Sequence, residues 1–157
     1  MAPLRTCLLF LVPLAALLAS ACASGSGGES GGLWVELAGE RYQVELADDD
    51  RSRARGLMFR ESMAADRGML FIHDRADRQA YWMKNTLIPL DILYFDTARR
   101  LVSQQRDVPP CRPGGACASY PSEAPALYVL ELNAGEAERL GLQNGVELEF
   151  GPGIPGR

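Results

Sequence analysis

Along this chain, apolar and polar positions alternate in short runs, and turn-forming residues separate the runs. Residues 33–37 and 41–46 each alternate, with Ala38-Gly39-Glu40 between them, which predicts a β-hairpin. Asp48, Asp49 and Asp50 then precede Arg51, Arg53 and Arg55, and Gly56 follows. Acid in front, base behind and glycine past the end predict a short helix whose charges complement its dipole. The apolar run 68–72 predicts a buried strand, and 79–83 a further one. Runs 90–95 and 101–108 predict an antiparallel pair turning across Asp96-Thr97-Ala98-Arg99. Residues 109–125 are rich in Pro and Gly and predict a long loop. A strong strand is predicted at 127–132, and Asn133 with Glu136 predicts a box-like start to a short helix ending near Gly141. A last strand at 146–150 closes the pattern.

About seven or eight strands and two short helices, joined mostly by turns, define a mainly β fold, α+β by count. The expected architecture is a small antiparallel β-sandwich or flattened barrel, jelly-roll-like. A parallel sheet would demand crossovers with longer helices.

The first residues follow a different logic. Arg5 gives a basic start, and residues 7–18 are apolar apart from Pro13. That run falls short of the roughly 20 residues of a spanning helix and suits the core of a signal peptide. Ala19 and Ala21 fit ordinary signal cleavage, whereas Leu17, Leu18 and the small residues before Cys22 resemble a bacterial lipobox. The sequence after Cys22, ASGSGGESGG, reads as a flexible tether that favours lipidation. The expected division is a signal peptide at 1–21, a tether at 22–32 after lipidated Cys22, a domain at 33–150 and a Gly/Pro tail at 151–157. The expected location is periplasmic or outer-membrane-anchored, with a membrane partner through the lipid; plain secretion is the alternative.

Charge removes one class of partner. The net charge is −4, or −5 without Arg5, and no basic stripe marks a nucleic-acid surface. Lys84 is the one lysine among sixteen basic residues. Cys111 and Cys117 flank Arg-Pro-Gly-Gly-Ala, a turn that can bring them together as a disulfide in an oxidising compartment. Half a zinc site is the alternative, but there is no second cysteine pair and His73 is the only histidine.

Four segments carry a family resemblance: Arg55-Gly-Leu-Met-Phe-Arg60, Gly68-Met-Leu-Phe71, Trp82-Met-Lys-Asn-Thr86 with Pro89-Leu-Asp91, and Tyr128-Val-Leu-Glu-Leu-Asn-Ala-Gly135. Together they resemble the domain-of-unknown-function family 192 (DUF192) over residues 33–150. The resemblance implies a compact, mainly β domain, often exported, and no particular activity. The segment between Cys111 and Cys117 stands outside it.

Chemistry is sought in the polar members of those segments. Alternation places Asp91 on a face with Leu93 and Phe95, and Glu131 on a face with Leu127 and Val129. Carboxylates on apolar faces need partners, and Arg55, Arg60 and Lys84 are available. A structural ion-pair network accounts for such residues. The sharper reading is a polar pocket floored by Trp82 and Phe71, in which Arg55, Arg60, Lys84, Asn85, Thr86, Asp91 and Glu131 converge on an anionic or hydroxylated small ligand such as a glycan fragment. An envelope protein is the other candidate partner. A hydrolase-like enzyme using Asp91 and Glu131 requires the two about 5 to 9.5 Å apart. His73 is expected at the surface, and no nucleophile or phosphate-loop motif assigns a catalytic residue. Met58, Met63, Met69 and Met83 with His73 raise Cu(I) binding, although thioethers beside Leu, Phe and Trp are ordinary core filler. No cofactor or fixed metal site is expected.

Overall fold

The computed structural model describes residues 31–111 and 114–156. The expected signal peptide and Cys22 lie outside them. The elements in chain order are β1 (Trp34–Leu37), β2 (Glu40–Ala47), α1 (Asp50–Arg55), β3 (Arg67–Asp77), β4 (Ala80–Trp82), β5 (Leu90–Phe95), β6 (Leu101–Val108), β7 (Ser119–Pro121), β8 (Ala126–Asn133), α2 (Glu136–Arg139) and β9 (Leu148–Phe150). Seven strands form one sheet in the order β6-β5-β8-β3-β2-β1-β9, and β4 pairs with β7 in a separate ribbon. The sheet curls until its edges meet. Arg100 bridges Glu147, and Leu101 and Leu148 donate N–H groups to Val146 and Arg99. The flattened-barrel expectation is met, and the fold is mainly β with two short helices.

One pair departs from the antiparallel pattern. β2 and β3 run parallel, with Val44 opposite Gly68 and Leu46 opposite Leu70. A parallel pair needs a crossover, and residues 48–66 supply it with α1 alone. Local signals shape that helix: Asp49 caps it by accepting from the N–H groups of Arg51 and Ser52, and Gly56 ends it at a φ of 47°. The β1–β2 turn has Ala38 and Gly39 both at positive φ, as a tight hairpin requires.

The loop at 109–125 differs from expectation in containing β7, which pairs Tyr120 with Tyr81. Cys111 and Cys117 are bonded there, with α-carbons 5.4 Å apart. Closing so short a loop contributes roughly 2 to 2.5 kcal/mol on the chain-entropy account. The Gly/Pro tail is also structured as far as residue 156. Gly151 donates to the Trp34 carbonyl, and Ile154 packs on the core.

Alternation splits the core into two clusters on the two faces of the sheet. Leu70, Ile72, Leu93, Phe95, Leu130 and Leu132 join Val35, Leu37 and Leu148 within the curl. Met69, Phe71, Ile92, Tyr94 and Val129 face the other way, under Leu57, Met83, Ile88 and the β4–β7 ribbon. The candidate site lies in this second layer.

Candidate functional site

The central strand β8 carries Glu131 into the second layer. In register it lies between Met69 of β3 and Ile92 of β5, whose side chains share that face. Val129 lies on the same face, as alternation requires, whereas Leu127 belongs to the inner cluster. Gly68 makes the close strand approach possible here: a Cβ on it would come within 2.8 Å of the Glu131 carbonyl oxygen and 2.7 Å of Leu132. Glu131 is 5% exposed. No hydrogen bond or ion pair from a described residue reaches its carboxyl, and burial alone pushes its pKa from 4.5 up to about 8. Tyr81 and Tyr94 feel its charge, and burial holds both phenols above their ordinary range.

Glu131 lines a cavity of about 40 Å³ together with Arg55, Phe71, Tyr81, Trp82, Lys84 and Thr86. A volume of that size admits a few atoms, since one water needs roughly 10 to 15 Å³ by the same measure. Beside it lies a groove of about 400 Å³, bounded by Phe59, Trp82, Lys84, Asn85, Leu87 and the disulfide. Trp82, Lys84 and Thr86 belong to both spaces, so they form the wall between a small deep polar end and a wide outer one.

The outer groove is apolar and open. Phe59, Trp82 and Leu87 are exposed by 64%, 54% and 52%, and all three line it. The Lys84 Nζ stands 5.0 Å from the Trp82 ring centroid. Phe59 and Asn85 both have left-handed backbones, φ 63° and 56°, and the Phe59 N–H donates to the Asn85 carbonyl at 2.7 Å. A bulky residue at positive φ is strained by about 1 to 3 kcal/mol, and such strain collects at working sites. Here it holds an aromatic ring out in water at the mouth of the groove.

The predicted site residues therefore divide. Arg55, Trp82, Lys84, Thr86 and Glu131 come together around the cavity, with Asn85 at the outer groove. Arg60 is drawn away to Glu45 at 2.6 Å. Asp91 lies on the other face: it stands opposite Leu132, while Glu131 stands opposite Ile92. Its carboxylate accepts from the N–H groups of Asp107 at 2.8 Å and Ala137 at 2.7 Å. Two carboxylates on opposite faces of one sheet cannot flank a substrate, and the hydrolase-like pairing of Asp91 with Glu131 fails on that geometry. The histidine also departs from expectation. His73 is half-buried, its Nε2 lies 3.0 Å from the Tyr81 hydroxyl, and burial followed by Arg53 lowers its pKa to about 4. Met69 and Met83 are buried in the second core cluster and Met63 packs against it, where their thioethers serve packing.

Tyr81, Phe59 and Leu87 are not among the sequence candidates, and Arg53 is there only as a helix charge. Arg53 holds the Asp48 and Ile72 carbonyls and pairs with Asp50 and Asp74, which fixes α1 against β3. Phe59 lies within one of the quoted segments, and that is the available signal for it; Leu87 offers none.

The family described as DUF192, an uncharacterized ACR, matches residues 33–150. The chain belongs to this family. Its fold is shared by two crystal structures. One is a protein of unknown function from Novosphingobium aromaticivorans, 34% identical with a TM-score of 0.69 over 78% of this chain and 89% of that one. The other, named a candidate transcription regulator from Sinorhizobium meliloti, is 37% identical with a TM-score of 0.67 over 75% of this chain and 91% of that one. Among curated proteins, none matches significantly. The DUF192 segments quoted from the sequence supply Arg55, Phe71, Trp82, Lys84, Thr86 and Glu131 to the cavity, so most of it is built from them, and Phe59 to the outer groove.

Proposed function

We propose that this DUF192 protein is an exported, lipid-anchored binding module whose groove beside Trp82 takes a small hydroxylated or anionic ligand. One observation carries the binding reading: a carboxyl nine-tenths buried, without a partner among the described residues, lines a cavity beside an exposed tryptophan. Among the described residues no side-chain oxygen is both fully buried and unpartnered, so this carboxyl keeps a contact with solvent, which a ligand hydroxyl would replace with a fixed partner. Trp82, Phe59 and Leu87 would cover the apolar face of such a ligand. A net charge of −4 does not favour nucleic acid as the partner.

A thermal-shift screen of envelope sugars and small anions tests this reading. A ligand at about 100 times its Kd stabilises by roughly 2.7 kcal/mol, a clear rise in Tm. Trp82→Ala should abolish that rise while leaving the unliganded Tm within a few degrees, because the ring is half exposed. If no small ligand shifts the Tm, the second reading gains: Phe59, Trp82 and Leu87 form an exposed apolar surface for an envelope protein.

Anchoring is tested separately. Lipidated Cys22 followed by the Gly/Ser tether would hold the domain at a bacterial membrane. Cys22→Ser should move the protein from the membrane fraction to the soluble fraction of the envelope. A variant that stays with the membrane defeats the lipid reading.

A further inference from the structure

Cationic side chains outnumber acidic ones in the lining of the inner cavity. Arg55 and Lys84 line the cavity, both are exposed, and neither pairs with a described carboxylate. Neighbouring arginines are engaged elsewhere, Arg53 with Asp50 and Asp74, and Arg60 with Glu45. Glu131 does not neutralise the pair, because burial keeps its carboxyl protonated at neutral pH. The deep end thus offers two uncompensated cations, a carboxyl able to donate or accept, and the nearly buried Thr86.

Size and shape narrow the ligand further. The 40 Å³ deep end has room for a few atoms, enough for a hydroxyl beside a carboxylate oxygen. The outer groove of about 400 Å³ falls at the small end of ligand pockets, about 300 to 1,000 Å³. A simple anion would satisfy Arg55 and Lys84 but leave Trp82, Phe59 and Leu87 facing water. A neutral sugar would cover the rings but leave both cations unmatched.

Resting on the ligand-binding reading above, we propose that the ligand is an acidic sugar: a carboxylate-bearing ring lying on Trp82, its carboxylate held by Arg55 and Lys84, and a hydroxyl reaching Glu131 and Thr86. Charge complementarity selects the acid, and the aromatic face selects the ring. The Lys84 Nζ, 5.0 Å from the Trp82 centroid, places the two demands side by side.

The test is calorimetric titration of the purified protein at pH 7 with matched pairs: glucuronic acid and glucose, galacturonic acid and galactose, mannuronic acid and mannose, with acetate as the bare anion. At least one acid should bind about tenfold or more tightly than both its neutral partner and acetate. The double variant Arg55→Gln/Lys84→Gln should bring acid and neutral sugar to the same affinity, and Trp82→Ala should weaken the acid to the level of acetate. Neutral sugars binding as well as the acids would overturn the acidic class and leave the glycan reading standing. Acids binding no better than acetate would overturn the sugar and leave a bare anion site. Silence from every sugar at millimolar concentration overturns this proposal, and the broader screen above then decides whether the groove binds any small ligand.

Discussion

Replacing Glu131 by Gln should stabilise the protein, and the gain should grow with pH. The parent carboxyl has its pKa raised by burial from 4.5 to about 8, so the folded state holds a proton that the unfolded state has released across that window. Stability from this group is complete below about pH 4.5, declines as pH rises, and is gone above about pH 8. The full swing is on the order of 4 kcal/mol. Glutamine keeps the shape and cannot ionise. The variant and parent should therefore melt close together at pH 5, while at pH 9 the variant should melt higher by about 10 to 20 °C.

His73 acts in the opposite direction. Its pKa is lowered to about 4, so its contribution is present above about pH 6.5 and is lost as pH falls toward 4. Because His73 is unchanged in the variant, the difference between the two melting curves isolates Glu131. Curves that stay parallel from pH 5 to 9 would mean that the carboxyl is paired or hydrated in solution. Such a cost beside an open cavity is what the proposed binding role would entail.

Local chemistry made much of the fold legible. The strands β5 and β6 were bounded by their alternation and by a turn in which Asp96 accepts from the Ala98 and Arg100 N–H groups. The helix α1 carried its own cap, charges and terminal glycine. What escaped depended on distant partners. β7 has three residues amid Pro and Gly and exists through its pairing with β4. The parallel alignment of β2 and β3 leaves no trace in either strand's pattern. The start of α2 was read from Asn133 and Glu136, yet Asn133 instead donates to the Met63 and Ala64 carbonyls, and Gly135 takes the cap position.

The candidate site shows the same limit. Alternation gave the right neighbours for Asp91 within its strand, Leu93 and Phe95, both in the inner cluster. It could not relate that face to the face of Glu131, because a one-residue change of register exchanges the two. Phe59 and Leu87 escaped for another reason. Exposed apolar residues are common on any surface, and only the groove between them gives these two a shared meaning.

The relocation of Asp91 yields the second large effect. Asp91→Ala should destabilise the protein by about 3 to 5 kcal/mol, because two backbone N–H groups each lose a hydrogen bond to a carboxylate, worth about 1.5 to 3 kcal/mol apiece. One belongs to Asp107, whose φ of 51° sits beside an irregularity where β6 slips against β5. The other belongs to Ala137, fully buried in the first turn of α2, a helix with no side-chain cap at its own N-terminal residue. Asp91 thus supplies from β5 the cap that the local sequence lacks, and it joins a strand irregularity to a helix start across the inner core. Asp91→Asn keeps one acceptor and the volume, so it should cost less than alanine. Urea unfolding measures both, and a loss under about 1 kcal/mol for alanine would show that neither N–H depends on the carboxylate. Binding separates this role from that of Glu131. Any ligand of the Trp82 groove should bind folded Asp91→Asn with the parent's affinity, since Asp91 faces away from the cavity, and a tenfold loss there would return Asp91 to the site.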